Sequence, residues 1–216
     1  MVRLGMRWWY LFILTAARML AASFFRIRAY GTRHVPATGG VVLASNHQSW
    51  LDPALIAASL DREVHFMARS TLFKNPAFGA LIATLNAFPI ERDSRDVKGV
   101  KEALSRLKAG HALLVFPEGT RTRNGTVGPM KAGIRLLAER AAVPIVPVLI
   151  EGAYEAWPKG QMLPALGRIN VLFGPPVTVE GGIDGAVRLR EAIVRLGTDP
   201  HRNVIRRTNV ESKTGG

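Results

Sequence analysis

Six short apolar runs, separated by helix-like segments, leave this chain few ways to fold. Val41 to Ser45, Val64 to Ala68, Ala87 to Ile90, Ala112 to Phe116, Val143 to Ile150 and Ile169 to Phe173 read as strands. The run at 143–150, VPIVPVLI, carries two prolines, which predicts an edge, a bulge or a kinked end. Helices are predicted between them at Ala54 to Leu60, Pro76 to Leu85, Val97 to Ala109 and Lys131 to Arg140, with a last one at Asp184 to Leu196. In the third, Val97, Val100, Leu104 and Leu107 mark one face, and Gly110 stands where a helix-ending glycine belongs. Strands alternate with helices, so the expected architecture is α/β: a largely parallel sheet flanked by helices on both faces.

The 216 residues can bury one such core, alone or with an anchor, and 48% hydrophobic content excludes a disordered chain. There is no cysteine, which excludes disulfides, thiolate zinc sites and cysteine nucleophiles. The net charge of +13 favours an anionic partner: nucleic acid, lipid headgroups or a phosphorylated substrate. No helix-turn-helix or basic–aromatic RNA-binding pattern accompanies the charge, so nucleic acid is not the expected partner.

Residues 8–25, WWYLFILTAARMLAASFF, carry one charge, Arg18, near the middle. A transmembrane helix would hold that Arg at a costly depth. A signal peptide would need an A-x-A cleavage site, which does not follow. A buried soluble helix is a third reading. The preferred one is a helix in the membrane interface. Arg3, Arg7 and Arg18 fall within one arc that Leu11 and Leu14 interrupt, and Trp8, Trp9 and Tyr10 suit the headgroup region. Basic residues flank both ends, which keeps both on the cytoplasmic side. The expected organisation is a membrane-interface anchor at 1–29, a catalytic domain at 30–198 and a polar tail at 199–216.

The clearest chemistry lies in Asn46-His47-Gln48-Ser49-Trp50-Leu51-Asp52, between a strand and the helix that Asp52-Pro53 opens. Open α/β sheets bind ligands at this kind of edge. A neutral imidazole can accept a hydroxyl proton, and a carboxylate on its other nitrogen fixes the tautomer. Taken alone, the pair reads more simply as an N-cap, Asp52, beside a loop histidine. Ser49 lacks the G-x-S-x-G elbow of a serine nucleophile and is read as structural. Phe116 to Arg121, FPEGTR, ends a strand with a glycine flanked by Glu118 and Arg121, and Arg can grip a phosphate in bidentate fashion. Arg69, Arg92 and Arg121 each follow a strand. Each alone reads as a surface charge; in a parallel sheet those ends share one edge, so together they are expected to converge with His47. That pattern points to a phosphorylated substrate whose hydroxyl is deprotonated.

NHQSWLD at 46–52, FPEGTRT at 116–122 and VPIVPV at 143–148 resemble motifs of the glycerolipid acyltransferases, in matching order and spacing over roughly residues 30 to 180. Within that family the chain is most similar to the bacterial lysophosphatidate-acylating enzymes. The second motif departs from the family: Asn86-Ala87-Phe88-Pro89-Ile90-Glu91-Arg92 has Asn for the usual Gly and Glu for the usual penultimate residue, but keeps Arg92. Arg69 stands where the family commonly has Lys. The resemblance implies a glycerol-3-phosphate acyltransferase-like fold and a sequential mechanism without an acyl-enzyme. It implies that His47, supported by Asp52, deprotonates the sn-2 hydroxyl of 1-acyl-glycerol-3-phosphate. That oxygen attacks a fatty acyl thioester on coenzyme A or acyl carrier protein, giving phosphatidic acid. Arg69, Arg92 and Arg121 are expected to hold the phosphate, with Glu118, Gly119 and Thr120 at the acceptor site. No metal or other cofactor is expected, and the expected location is the cytoplasmic face of the inner membrane. Glycerol-3-phosphate, a lyso-ornithine lipid or another lysolipid is the alternative acceptor. A basic membrane-binding protein without activity is the alternative of another class.

Overall fold

The computed structural model describes residues 8–10, 12, 15–16, 19, 25–91, 97–131, 133–158, 160–177 and 182–198. Seven strands form one sheet: β1 (Phe25–Tyr30), β2 (Val41–Ser45), β3 (Val64–Arg69), β4 (Ala87–Ile90), β5 (Ala112–Val115), β6 (Ile145–Glu151) and β7 (Gly167–Phe173). Their order across the sheet is β1-β7-β6-β2-β5-β3-β4. All neighbours run parallel except β6 and β7. The helices are α1 (Asp52–Ala58), α2 (Pro76–Thr84), α3 (Val97–Lys108), α4 (Gly133–Ala141), α5 (Ala153–Ala156) and α6 (Gly182–Thr198).

Burial is continuous along the central strands β2 and β5, and successive side chains pack on opposite covered faces of the sheet. Val41 and Leu43 of β2 and Leu114 of β5 pack with Leu55 and Ile56 of α1 and Ala153 of α5. Their neighbours Val42, Ala44 and Leu113 pack on the other face with Leu107 of α3, Leu137 of α4, and Leu189 and Ile193 of α6. This two-sided cover explains why β2 and β5 are apolar without interruption. The parallel strands β2 to β6 therefore end at one edge of the sheet. Because β7 is antiparallel to β6, and β1 is parallel to β7, those two strands begin at that same edge.

Three expectations change. β6 is an interior strand between β2 and β7, despite Pro147. The Pro147 carbonyl accepts the Gly174 N–H, so its missing donor faces the side on which β7 has ended at Phe173. Pro147 returns no N–H to Gly174, and the β6–β7 ladder begins at the next pair, Val148 opposite Phe173. The sheet also extends into residues 25–29, which the sequence places with the anchor. FRIRAY turns Phe25 inward and leaves Arg26 and Arg28 exposed, a period-2 pattern hidden behind the long apolar run before it. The third change concerns that run.

Every described residue between 8 and 19 is helical. Tyr10 is only 1% exposed, inside the core, where its hydroxyl accepts the Val64 N–H at 3.2 Å. Trp8, Phe12 and Met19 are 77%, 70% and 69% exposed. At about 100° per residue these three fall within about 40° of arc, opposite Tyr10. The segment thus has an inner face that completes the core and an outer face that is also apolar. Among the described residues no helix is long and apolar enough to cross a membrane.

Candidate active site

The turn from β2 into α1 is built almost wholly from side chains that bond to backbone. Asn46 pairs with Ile150 through both its amide groups, at 2.9 and 2.8 Å, and so carries the β2–β6 ladder one residue further. The Gln48 side chain donates to the Gly125 carbonyl and accepts from the Tyr154 N–H. Ser49 is fully buried, and its hydroxyl donates to the Trp157 carbonyl. That bond occupies the proton a nucleophilic serine would surrender, in keeping with a structural role.

Asp52 is also fully buried. Its Oδ2 accepts from His47 Nδ1 at 2.8 Å, from the Gln48 N–H at 2.6 Å and from the Ser49 N–H at 2.9 Å. Its partners precede it in the chain. The N-cap of α1 is Leu51, and Asp52 is the first helical residue, so it does not cap the helix. A carboxylate only accepts, so Nδ1 of a neutral His47 carries its proton and Nε2 presents a lone pair. The His47 ring stacks on Phe116, with centroids 3.9 Å apart and planes 16° off parallel. Two contacts therefore fix the imidazole: an ion-pair partner at one nitrogen and an aromatic face beneath it.

The loop after β5 is sewn to the same turn. The Thr122 N–H donates to the His47 carbonyl at 2.8 Å. The Glu118 carboxylate accepts the His47 N–H at 2.9 Å and the Gly128 N–H at 3.1 Å. Both its oxygens are thereby committed to holding the loop. Burial pushes the Glu118 carboxyl above its ordinary value, against the opposing pull of those two amides and of the His47 charge. Gly119 has φ +71°, which favours glycine, and a Cβ there would lie 3.0 Å from Lys131 Nζ. The lysine side chain thus lies along the loop. Thr120 is exposed beside it.

Arg121 lays its guanidinium on the Trp50 ring, 4.1 Å from the centroid, and its Nη1 is buried without a hydrogen-bond partner. Burial lowers its pKa from the ordinary value, partly offset by the Asp52 charge. An arginine with a spare buried donor can receive an anionic oxygen. Arg69 ends β3 at the same sheet edge and is exposed, but β5 separates its strand from β2. Arg92 lies outside the described residues. Among the described residues no group of three or more His, Cys, Asp or Glu side chains could hold a metal ion.

Sequence reasoning missed Phe116 as a stacking partner, Trp50 as the platform under Arg121 and Lys131 as a third cation beside the loop. All three meet the site across loops, where spacing along the chain gives no signal. The structure also accounts for the Asn86 departure. Asn86 has φ +70°, in the left-handed region that suits glycine and next best asparagine. It precedes β4, at the sheet edge opposite His47, and binds Glu63. The departure is a matter of backbone geometry at the sheet edge opposite His47.

A family model described as Acyltransferase matches residues 26–151, more than half of the chain. Similar proteins include a 1-acyl-sn-glycerol-3-phosphate acyltransferase of Bacillus subtilis (strain 168), 28% identical over 169 residues, 78% of this chain and 82% of the relative. Another, from Pseudomonas aeruginosa, is 30% identical over 176 residues, 80% of this chain and 66% of the relative. A third, from Streptococcus pneumoniae, is 34% identical over 140 residues, 64% of this chain and 50% of the relative. Among solved structures, a 1-acyl-sn-glycerophosphate (LPA) acyltransferase from Thermotoga maritima matches with TM-score 0.67 and 26% identity, covering 99% of this chain and 87% of that one. With its parallel sheet, its His47–Asp52 pair and a family match across both motifs that carry the site, the chain belongs to the acyltransferase family.

Proposed function

We propose that this acyltransferase is a membrane-associated enzyme that moves a fatty acyl group from acyl-coenzyme A or acyl carrier protein to the sn-2 hydroxyl of 1-acyl-glycerol-3-phosphate. The observation that carries the reading is Asp52 Oδ2. Fully buried and fixed by two backbone N–H groups, it holds His47 Nδ1 and leaves Nε2 for a hydroxyl. In this reading Nε2 takes the hydroxyl proton as the oxygen attacks the thioester carbonyl carbon. The C–S bond then breaks, and the imidazolium returns its proton to the departing thiolate. Asp52 orients the ring and stabilises the imidazolium. The spare donor on Arg121 binds the acceptor phosphate, and Arg69, at the end of β3, and Arg92 add positive charge. Glu118 acts through the loop it ties down rather than by touching substrate. The thioester is itself the activated group, so the proposal includes no cofactor. The outward apolar face of Trp8, Phe12 and Met19 supports residence at the cytoplasmic face of the inner membrane, where lipid acceptor and soluble donor meet.

The test is an acyl-transfer assay of the purified chain with 1-acyl-glycerol-3-phosphate, glycerol-3-phosphate and other lysolipids, each with both donors. Turnover is expected with 1-acyl-glycerol-3-phosphate, and His47→Ala should lower kcat by about 10²–10⁴-fold with the fold intact. No turnover of that acceptor with either donor overturns the reading.

A further inference from the structure

The described residues between α5 and β7 are hydrogen-bonded to one another and to α5 yet present apolar side chains to solvent. The Ala165 N–H donates to the Ala156 carbonyl at 2.7 Å, the Trp157 indole N–H to the Gln161 carbonyl, and the Gln161 side chain to the Leu163 carbonyl. On this framed loop Met162, Leu163 and Leu166 are 88%, 71% and 77% exposed. Scattered apolar residues on a surface need no explanation, but three within five residues on a hydrogen-bonded loop form a patch.

Basic charge stands directly beside it. Arg168 follows at the start of β7, in register with Arg26 of β1, and both are exposed. The antiparallel turn of β7 puts this pair and the loop at the sheet edge where β2 delivers His47. A direct bond links the loop to the site, since Ser49 Oγ donates to the Trp157 carbonyl at 2.9 Å.

We propose that Met162, Leu163 and Leu166, flanked by Arg26 and Arg168, form a second docking surface that inserts into an anionic phospholipid leaflet and turns the His47 edge toward the lipid. Apolar tips enter the acyl boundary while the adjacent guanidinium groups meet headgroup phosphates. An acidic carrier protein would answer the arginines but not three protruding apolar side chains. The surface deepens the functional reading above by naming what faces the membrane. Its test does not depend on turnover, so the two can fail separately.

The chain has no cysteine, so Leu163→Cys carries a single thiol for an environment-sensitive fluorophore. Its emission should shift to the blue on titration with vesicles of phosphatidylcholine containing 30 mol% phosphatidylglycerol. A label on Lys108→Cys, exposed at the end of α3, should not respond. In the full-length chain, replacing Met162, Leu163 and Leu166 together by serine should lower the vesicle partition coefficient by at least about tenfold. Replacing Arg26 and Arg168 by glutamine should lower it by about thirtyfold on the anionic vesicles at low salt, from about 1 kcal/mol per basic residue, and leave phosphatidylcholine vesicles unaffected. No blue shift at position 163, or serine and glutamine variants that partition like the parent, overturns the proposal. So does a label that responds to acidic acyl carrier protein and not to vesicles.

Discussion

Asp52 and Glu118 show how differently two carboxylates can serve one loop junction. Oδ2 of Asp52 gathers three donors from the residues just before it, which fixes the His47 imidazole in one orientation. The pair was legible in the sequence because both residues stand on one turn, five positions apart. The role of Glu118 was not, because its partners, the His47 and Gly128 amides, come from separate segments. Removing both acceptors with Glu118→Ala should cost about 1–3 kcal/mol, read by urea unfolding, and slow turnover by loosening the loop. The pH dependence has a definite sign. Burial raises the folded-state pKa of Glu118 above its unfolded value, so its stability contribution is fully present below the unfolded value and falls as pH rises through the folded one. Glu118→Gln has the same shape and no titration. The stability of the parent minus that of Glu118→Gln should therefore shrink from pH 4 toward neutrality. A gap that widens instead would mean that the two amide bonds outweigh burial.

Among the elements, the parallel strands and their helices were readable because their composition and periodicity are local properties. Val97–Lys108 is a helix as its periodicity implies, but of its predicted face Val97 and Val100 are exposed and the buried stripe is Gly99, Ala103 and Leu107; Ala112–Val115 is the buried strand its composition implies. The elements that escaped are those decided by distant partners. β1 forms because β7 offers it an edge. Pro147 of β6 is tolerated because of where β7 stops. Asn86 belongs to this scale too, since its positive φ sets the turn from α2 into β4. Asn86→Ala should destabilise by about 1–3 kcal/mol, from a left-handed alanine and the lost bond to Glu63. With the site at the opposite edge of the sheet, kcat/KM for each acceptor should stay within about twofold of the parent, a margin that a surface-like change in ΔG‡ would not exceed. A change in acceptor preference would instead tie this motif to recognition.

Across the whole molecule, the described residues between 8 and 19 join a core contact to an outward apolar face. The helical stretch around residues 8–19 contributes Tyr10 to the core and turns Trp8, Phe12 and Met19 outward. An anchor that only tethered a finished domain could be removed without loss of stability. Here Tyr10 packs among Leu55, Ile56 and Val64 and receives the Val64 N–H. Tyr10→Ala should therefore cost about 3–5 kcal/mol, as large-to-small changes of buried aromatic residues do. Tyr10→Phe should cost about 1–3 kcal/mol, because it leaves a buried N–H without its acceptor. Serine at positions 8, 12 and 19 should leave unfolding within about 0.5 kcal/mol of the parent, the range for exposed sites, while weakening vesicle binding. Urea unfolding and vesicle sedimentation on the same variants separate the two faces. If the Tyr10 variants unfold like the parent, the segment is an appendage. If they are destabilised as stated, deleting residues 1–24 to obtain a soluble form would also remove a piece of the catalytic core.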